Sequence, residues 1–403
     1  QMRKARNATH SAINVSRNHG ERYGLPLVLL ELKNPADETA TGARTLPPSR
    51  WPGPWVNRPG ELVGMLPAES GEAFTSILIW RYLVDIPAHT LRDAQDWVTD
   101  YRGAKNPNAV VVERLKELKL DKGVIGYAGR FGHSAYNFIM RQMPELKIVD
   151  ASDILDDLRT IKSDEEIALI DHANALFNLA VEAIHHKARP GMLGRQVVQI
   201  GLNAMFDGGA DLDSTFSLNF GPHPKQNPIL SWICMDRKIE DGDVATLTSH
   251  PHFRHYAGHT DQEIIFGSPS QLHLKMFESV KLVHSAVLSQ VREGVTQRDL
   301  VAAYEKACIE TGFQTCEHSQ IHQYGIEVPE FPGPSFKVED KASGKGLGSA
   351  GNFQLKSGMI YSISPVLIDA ASDDLILGGT TMAVTQTGYR ELGKRPVELL
   401  VVG

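Results

Sequence analysis

Two segments of the chain repeat one pattern at a constant offset, and that repeat limits the folds open to it. RPGMLGRQVV (189–198) and REGVTQRDLV (292–301) share Arg189/Arg292, Gly191/Gly294, Arg195/Arg298 and Val198/Val301. A long helical pattern precedes each (164–187 and 271–291), another follows (195–208 and 298–312), and each closes on a small turn, DGGAD or TGF. Helix, glycine turn, helix and strand, twice over, predict a pseudo-two-fold domain with two helix pairs against one curved antiparallel sheet. A cleft between equivalent halves is a natural place for a site.

The repeated domain starts near Ser163. SDEEIALIDHANALFNLAVEAIHH opens with Ser163 and Glu166 in a capping-box arrangement, and Ile170, Ala173, Phe177, Ala180 and Ile184 recur at helical spacing. LRTIKS just before it reads as the junction. Upstream, VVVERLKELKL (110–120) reads as a helix, and GVIGYAG (123–129) and KIVDAS (147–152) as strands, so residues 1–158 form an α/β domain. The whole is of the α+β class, with a boundary at 158/159. TLPPSRWPGPWVNRPGE (45–61), with five prolines and two tryptophans, is too proline-rich for regular helix and reads as a covering segment or an interface.

A net charge of −7 and a pI near 6.2 argue against a nucleic-acid partner. No apolar run approaches the length of a membrane span, and residues 1–30 have no continuous apolar core of the secretory kind. The three cysteines, Cys234, Cys308 and Cys316, fit neither a disulfide framework nor a zinc pattern, which points to a cytoplasmic protein. Cys308, inside a helical pattern, reads as a small packed hydrophobe.

The chemistry concentrates in SHPHFRHYAGH (249–259), four of the chain's 16 histidines in one short stretch. Within IEDGDVATLTSHPHFRHYAGHTDQEIIFG (239–267), a strand from Val244 to Ser249 turns into a second ending at Ile264-Ile265-Phe266. Alternation puts Thr248 and His250 on one face of the first, and His259 and Asp261 on one face of the second. His252 and His255 fall in the connection and are expected to be exposed. IHQYGIEVPEFPG (321–333) adds His322, Glu327 and Glu330 in a Gly/Pro-bounded segment.

In this order the motifs resemble the pita-bread family of methionine aminopeptidase, prolidase and creatinase, over residues 158–403. The matching stretches are LRTIKSDEEIALI, DGDVATLT, HYAGHTDQEIIFG, IHQYGIEVPEFP, KSGMIYSISP and GGTTMAVTQTGYREL. NFGPHPKQNP (219–228) resembles a Gly-Pro…Asn-Pro stretch found before the first metal strand in some members. The two-domain layout is similar to the prolidase and creatinase branch, which implies a homodimer with a creatinase-like N-terminal domain.

The family's peptidases hold two divalent metals with two Asp, one His and two Glu. By the resemblance those positions are Thr248, His259, His322, Ser364 and Gly379 here, so the histidine stays and all four carboxylates are replaced. Two bridged divalent cations need those charges. Creatinase is the family's metal-free precedent: Asp261 falls where it has an active-site glutamate, and His322 on its retained histidine. Ser364 departs from it, since creatinase keeps a glutamate there, and His223 in GPHPKQNP is the nearest match to its catalytic histidine.

Three readings follow. The first is a metal-independent hydrolase of a C–N bond (amide, guanidino or ureido) in a small polar or zwitterionic substrate, without cofactor. His322 is its preferred base, with His259, Asp261 and His250 as further catalytic candidates and His223, Glu327, Glu330 and Ser364 as substrate-binding ones. The second is a hydrolase or lyase with one zinc or iron held by His250, His259 and His322. In the third, a pita-bread domain without its metals serves as a binding module.

Overall fold

A computed structural model describes residues 27–31, 62–67, 75–79, 100–104, 106–128, 132–211, 214–221, 236–315, 318–319, 321–326, 330, 335–336 and 350–403. The Pro/Trp-rich 45–61 stretch, His223 and Glu327 lie outside them. The chain divides into two compact units, 1–158 and 159–403.

The first unit is built on a mixed six-stranded sheet. Its strands are β1 (Leu27–Glu31), β2 (Leu62–Pro67), β3 (Thr75–Ile79), β4 (Asp100–Ala104), β5 (Gly123–Ala128) and β6 (Leu146–Asp150). They are ordered β4-β3-β2-β1-β5-β6. Helices α1 (Pro107–Glu117) and α2 (His133–Gln142) alternate with the strands, and α3 (Ser152–Thr160) closes the unit. Proline in the first turn suits α1, because that N–H has no helical partner in any case. Val111, Val112 and Leu115 of α1 and Ile139 of α2 bury against Ile125 and Leu146, forming this unit's core. The parallel β1–β5–β6 strands with intervening helices are the expected α/β arrangement.

In the second unit α4 (Asp164–Lys187) begins at a complete capping box. The Glu166 N–H donates to Ser163 Oγ, and the Ser163 N–H to Glu166 Oε2. This helix is long and apolar enough to cross a membrane by composition. Its apolar side, including Ile170, Ala173, Phe177, Val181 and Ile184, is buried in the protein core instead. Next come α5 (Gly194–Asp207), β7 (Thr215–Gly221), β8 (Val244–His250), β9 (His252–Phe253), β10 (Tyr256–Ala257) and β11 (Thr260–Phe266). The second half repeats the plan with α6 (Gln271–Leu288), α7 (Gln297–Thr311), β12 (Gln314–Thr315), β13 (His318–Ser319), β14 (Ile321–Gln323), β15 (Ser335–Phe336) and β16 (Ile360–Ile363). The chain ends with β17 (Val366–Ile368), β18 (Leu375–Leu377), β19 (Thr380–Val384), β20 (Tyr389–Leu392) and β21 (Leu400–Val402).

The internal repeat is written in the backbone hydrogen bonds. Gly191 N–H donates to Ile239 O at 2.7 Å, and Gly294 N–H to Leu355 O at 2.8 Å. Both glycines have positive φ, 89° and 86°, which explains why the repeated turn keeps glycine. Further on, Gly242 N–H donates to Phe266 O and Gly358 N–H to Val384 O. These equivalences superpose β8 on β16 and β11 on β19.

The expected sheet is laid out as two four-stranded ladders, β21-β11-β8-β7 and β14-β16-β19-β20, with a three-stranded β12-β17-β18 and two short pairs. β21 joins β11 in parallel, so the first ladder is mixed. Val244 and Ile265 pack in one apolar cluster with α6 and α7. Ala245, Leu247 and Ile264 pack in another with α4 and α5. Neighbouring residues on each strand thus face opposite layers, and the strands at the centre are buried on both sides.

Candidate functional site

The site forms where β8 and β11 meet the end of β16 and the start of β19. Antiparallel register sets Thr248 opposite Asp261 and Thr246 opposite Glu263. The Thr248 hydroxyl donates to Asp261 Oδ1 at 2.8 Å, and Ser364 bonds the same carboxylate. Thr248 and Ser364 each follow the glycine of an equivalent turn (Gly242, Gly358) by six residues. The pseudo-two-fold therefore delivers two hydroxyls, one from each half, to one carboxylate.

His259 Nε2 lies 3.0 Å from Asp261 Oδ2, its Nδ1 lies 2.8 Å from His250 Nε2, and His250 Nδ1 lies 3.2 Å from Thr215 Oγ1. Burial opposes ionisation of Asp261. The charge on His259 and hydrogen bonds from His259, Ser364 and Thr248 outweigh it and hold the carboxyl well below the usual range. That fixes one end of the row. An ionised Asp261 only accepts, so His259 Nε2 carries a proton. With His259 neutral, its Nδ1 accepts from His250 Nε2–H and His250 Nδ1 accepts from the Thr215 hydroxyl; with His259 protonated, both of these bonds reverse. Burial, then the neighbouring His259, push the His250 pKa well below its ordinary value and keep that ring neutral.

Backbone contacts hold His259 in place. Its N–H donates to Asn174 Oδ1 on α4 at 3.2 Å, and the Thr381 hydroxyl on β19 donates to its carbonyl. His322 on β14 completes the cluster, its ring edge-on to His259 at 5.3 Å and its Nε2 3.0 Å from the Tyr324 hydroxyl. His259 and His322 are buried, whereas Thr248 and His250 are half-buried and form the accessible end of the group. Behind Asp261, Glu263 is fully buried, with the Thr246 hydroxyl and the Leu377 N–H on its carboxylate. Burial pushes its pKa well up.

His250, His259, Asp261, His322 and Ser364 are thus brought together. Glu330 is not part of that group. Its carboxylate is 3% exposed, 2.7 Å from the Lys162 ammonium, and accepts from the Ile326 N–H. It is a neutralised positioning group rather than the substrate-facing charge expected of it. His252 was expected to be exposed but is 2% exposed, its Nδ1 3.0 Å from the His250 carbonyl. His255 is exposed, in a tight turn where it and Arg254 both take positive φ. Tyr324 and Thr215 were not anticipated. Tyr324 lies two residues past His322 in an extended segment, a spacing that puts both on one face. No local pattern points to Thr215.

As placed, His250 and His259 do not fit one zinc ion. Two nitrogens on a tetrahedral zinc, each about 2.0–2.1 Å from it, stand roughly 3.3 Å apart. The facing nitrogens of His250 and His259 are 2.8 Å apart, a hydrogen-bond distance. Asp261 occupies the other nitrogen of His259. Among the described residues no three His, Cys, Asp or Glu side chains are placed to hold one ion. A carboxylate cannot simply be restored at Gly379, where a Cβ would lie 2.1 Å from the Ile363 carbonyl oxygen and 2.5 Å from Ser364 Cα.

Residues 168–388 match the model of metallopeptidase family M24. The chain is 26% identical over 314 residues to the Xaa-Pro dipeptidase of Pyrococcus furiosus, covering 75% of this chain and 84% of that protein. It is 24% identical over 172 residues to the creatinase of a Bacillus species, covering 40% of each. The Xaa-Pro dipeptidase structure from Bacillus anthracis superposes with a TM-score of 0.75 at 20% identity, covering 98% of this chain and 99% of that one. The prolidase structure from Pyrococcus horikoshii gives 0.73 at 19%, covering 97% and 100%. These neighbours share the pita-bread fold.

Proposed function

Because the chain belongs to metallopeptidase family M24, a family of hydrolases, we propose that it is a hydrolase working without the family's metal pair. It cleaves a C–N bond (amide, guanidino or ureido) in a small polar or zwitterionic substrate by histidine acid–base chemistry. One observation carries this reading: both ring nitrogens of His259, at a family ligand position, are committed within the protein, to Asp261 and to His250.

The row from Asp261 to His250 can take up a proton without moving a heavy atom. Water attacking the carbon of the scissile bond releases its proton to His250 Nδ1. His250 passes its Nε2 proton to His259 Nδ1, and the positive charge comes to rest beside ionised Asp261. The 3.2 Å contact with the Thr215 hydroxyl is the longest in the row and the one an incoming water replaces. The leaving nitrogen takes a proton back from His250 Nδ1 as the positive charge leaves the row, so the proton from water is returned within one turnover. His322 stands across His259 as a hydrogen-bond donor at Nδ1 rather than the base expected of it, because the Tyr324 hydroxyl already engages its Nε2. The charge of His259 with Asp261 suits a zwitterionic or cationic substrate group.

The test is a panel of small amides, guanidino and ureido compounds and Xaa-Pro dipeptides, assayed with and without a strong chelator. The reading expects turnover of a non-peptide C–N compound, unaffected by chelator and lost in His259→Gln. Dipeptide hydrolysis that requires added divalent metal would overturn it. We also take the protein to be a cytoplasmic homodimer, as its resemblance and cysteine usage imply; light scattering on the purified protein checks the oligomer.

A further inference from the structure

Tyr324 touches three histidines at once. Its ring stacks on His259 with centroids 4.8 Å apart and planes 15° apart. It stands edge-on to His322 at 4.7 Å and 73°, and lies 6.1 Å from His250. Its hydroxyl is 3.0 Å from His322 Nε2, and the residue is fully buried.

The backbone around it is fixed on both sides. Before it, Gln323 pairs with Tyr361 in the β14–β16 ladder. After it, the Gly325 carbonyl accepts from the Ala257 N–H at 2.7 Å. A Cβ on Gly325 would stand 2.4 Å from Glu330 Oε2, so the chain passes directly over that carboxylate. Lys162 and the Ile326 N–H in turn hold Glu330.

One property of a phenol then matters. Its hydroxyl is a good donor and a neutral imidazole nitrogen a good acceptor; with the O–H on His322 Nε2, the ring proton of His322 is left on Nδ1.

We propose that Tyr324 is a positioning residue that sets the tautomer of His322 through its hydroxyl. Its purpose rests on the acid–base reading above, since it leaves His322 a donor at Nδ1. Phenylalanine would keep the ring packing against His259 and lose this effect.

The test is long-range 1H–15N correlation NMR of histidine rings in the full-length protein, labelled on histidine and free of substrate. His322→Gln and His259→Gln assign the two rings. The wild type is expected to show His322 protonated on Nδ1 with Nε2 bare. In Tyr324→Phe the single-tautomer signature of His322 is lost and the His259 signals stay; in Tyr324→Leu both change. Wild-type His322 with its proton on Nε2 overturns the proposal without any variant, and so does a Tyr324→Phe spectrum identical to wild type. Metal-dependent peptidase activity together with the expected tautomer would sink the functional reading and leave this one standing.

Discussion

Asparagine at position 261 keeps the shape of the relay and removes its charge. The wild-type carboxylate accepts from His259 at 3.0 Å and from Thr248 at 2.8 Å, and Ser364 bonds it as well. In Asp261→Asn the amide oxygen can stay on His259 and the NH₂ turn to Thr248, whose hydroxyl also accepts, so the buried His259 N–H keeps its acceptor. The stability cost is then the difference between a charge-assisted and a neutral hydrogen bond, about 1 kcal/mol. Asp261→Ala removes the acceptor altogether and strands a buried imidazole N–H, costing about 3–5 kcal/mol. Activity should separate from stability. Without the negative charge the imidazolium at His259 has no counter-ion, and the rate should fall about 10²–10⁴-fold in Asn, the scale of a lost acid–base contribution. Urea unfolding and initial rates on the substrate identified from the panel provide both numbers. An Asn variant retaining more than about a tenth of the rate would mean the charge is not used, since tenfold is only about 1.4 kcal/mol of barrier. An Asn variant as unstable as Ala would show that the hydroxyls cannot re-pair as described.

Other expectations come from residues around the site. Lys162→Met leaves Glu330 charged and buried and should cost about 3–5 kcal/mol, much of it regained in Lys162→Met/Glu330→Gln; equal costs in urea unfolding would refute the pairing. Gly379→Ala forces its Cβ against the β16 backbone and should destabilise by about 3 kcal/mol, the upper end of overpacking; a neutral result would refute the close approach. Burial lowers the His284 pKa to about 4, its Nε2 sitting 3.0 Å from Thr380 Oγ1. The unfolded chain takes up that proton near pH 6.5 and the folded one does not, so stability should fall from about pH 6.5 toward 4, by ~3 kcal/mol in all. His284→Gln should flatten that slope, and an unchanged slope would place the titration elsewhere.

Much of the second unit was legible because its signals are local and periodic. The capping box at Ser163, the apolar spacing through Ile184 and the turn glycines at 191 and 294 each report one backbone requirement. Alternation along 244–266 was enough to put Thr248, His250, His259 and Asp261 on the cleft side. What stayed hidden depends on contacts between distant segments. Glu330 reads as a free acid in IHQYGIEVPEFPG, because nothing local reveals that Lys162, so far upstream, meets it in the core. His252 reads as a loop residue, because burial of the β9–β10 hairpin against α4 is a tertiary event, with His172 and Phe253 rings 4.1 Å apart. Thr215 joins the relay only through the β7–β8 register. The division of β14-β16-β19-β20 from β12-β17-β18 was also hidden: it falls between β16 and β17, at Ser364-Pro365, where Pro365 has no N–H to donate.

In the proposed function, imidazoles and hydroxyls stand in for the metal cage rather than re-form it. Elemental analysis tests this directly, on purified untagged protein incubated with zinc, iron(II) or manganese and then desalted. The account predicts no stoichiometric metal, in the wild type as in His259→Gln. One or two bound equivalents, lost in His259→Gln or His322→Gln, would contradict it.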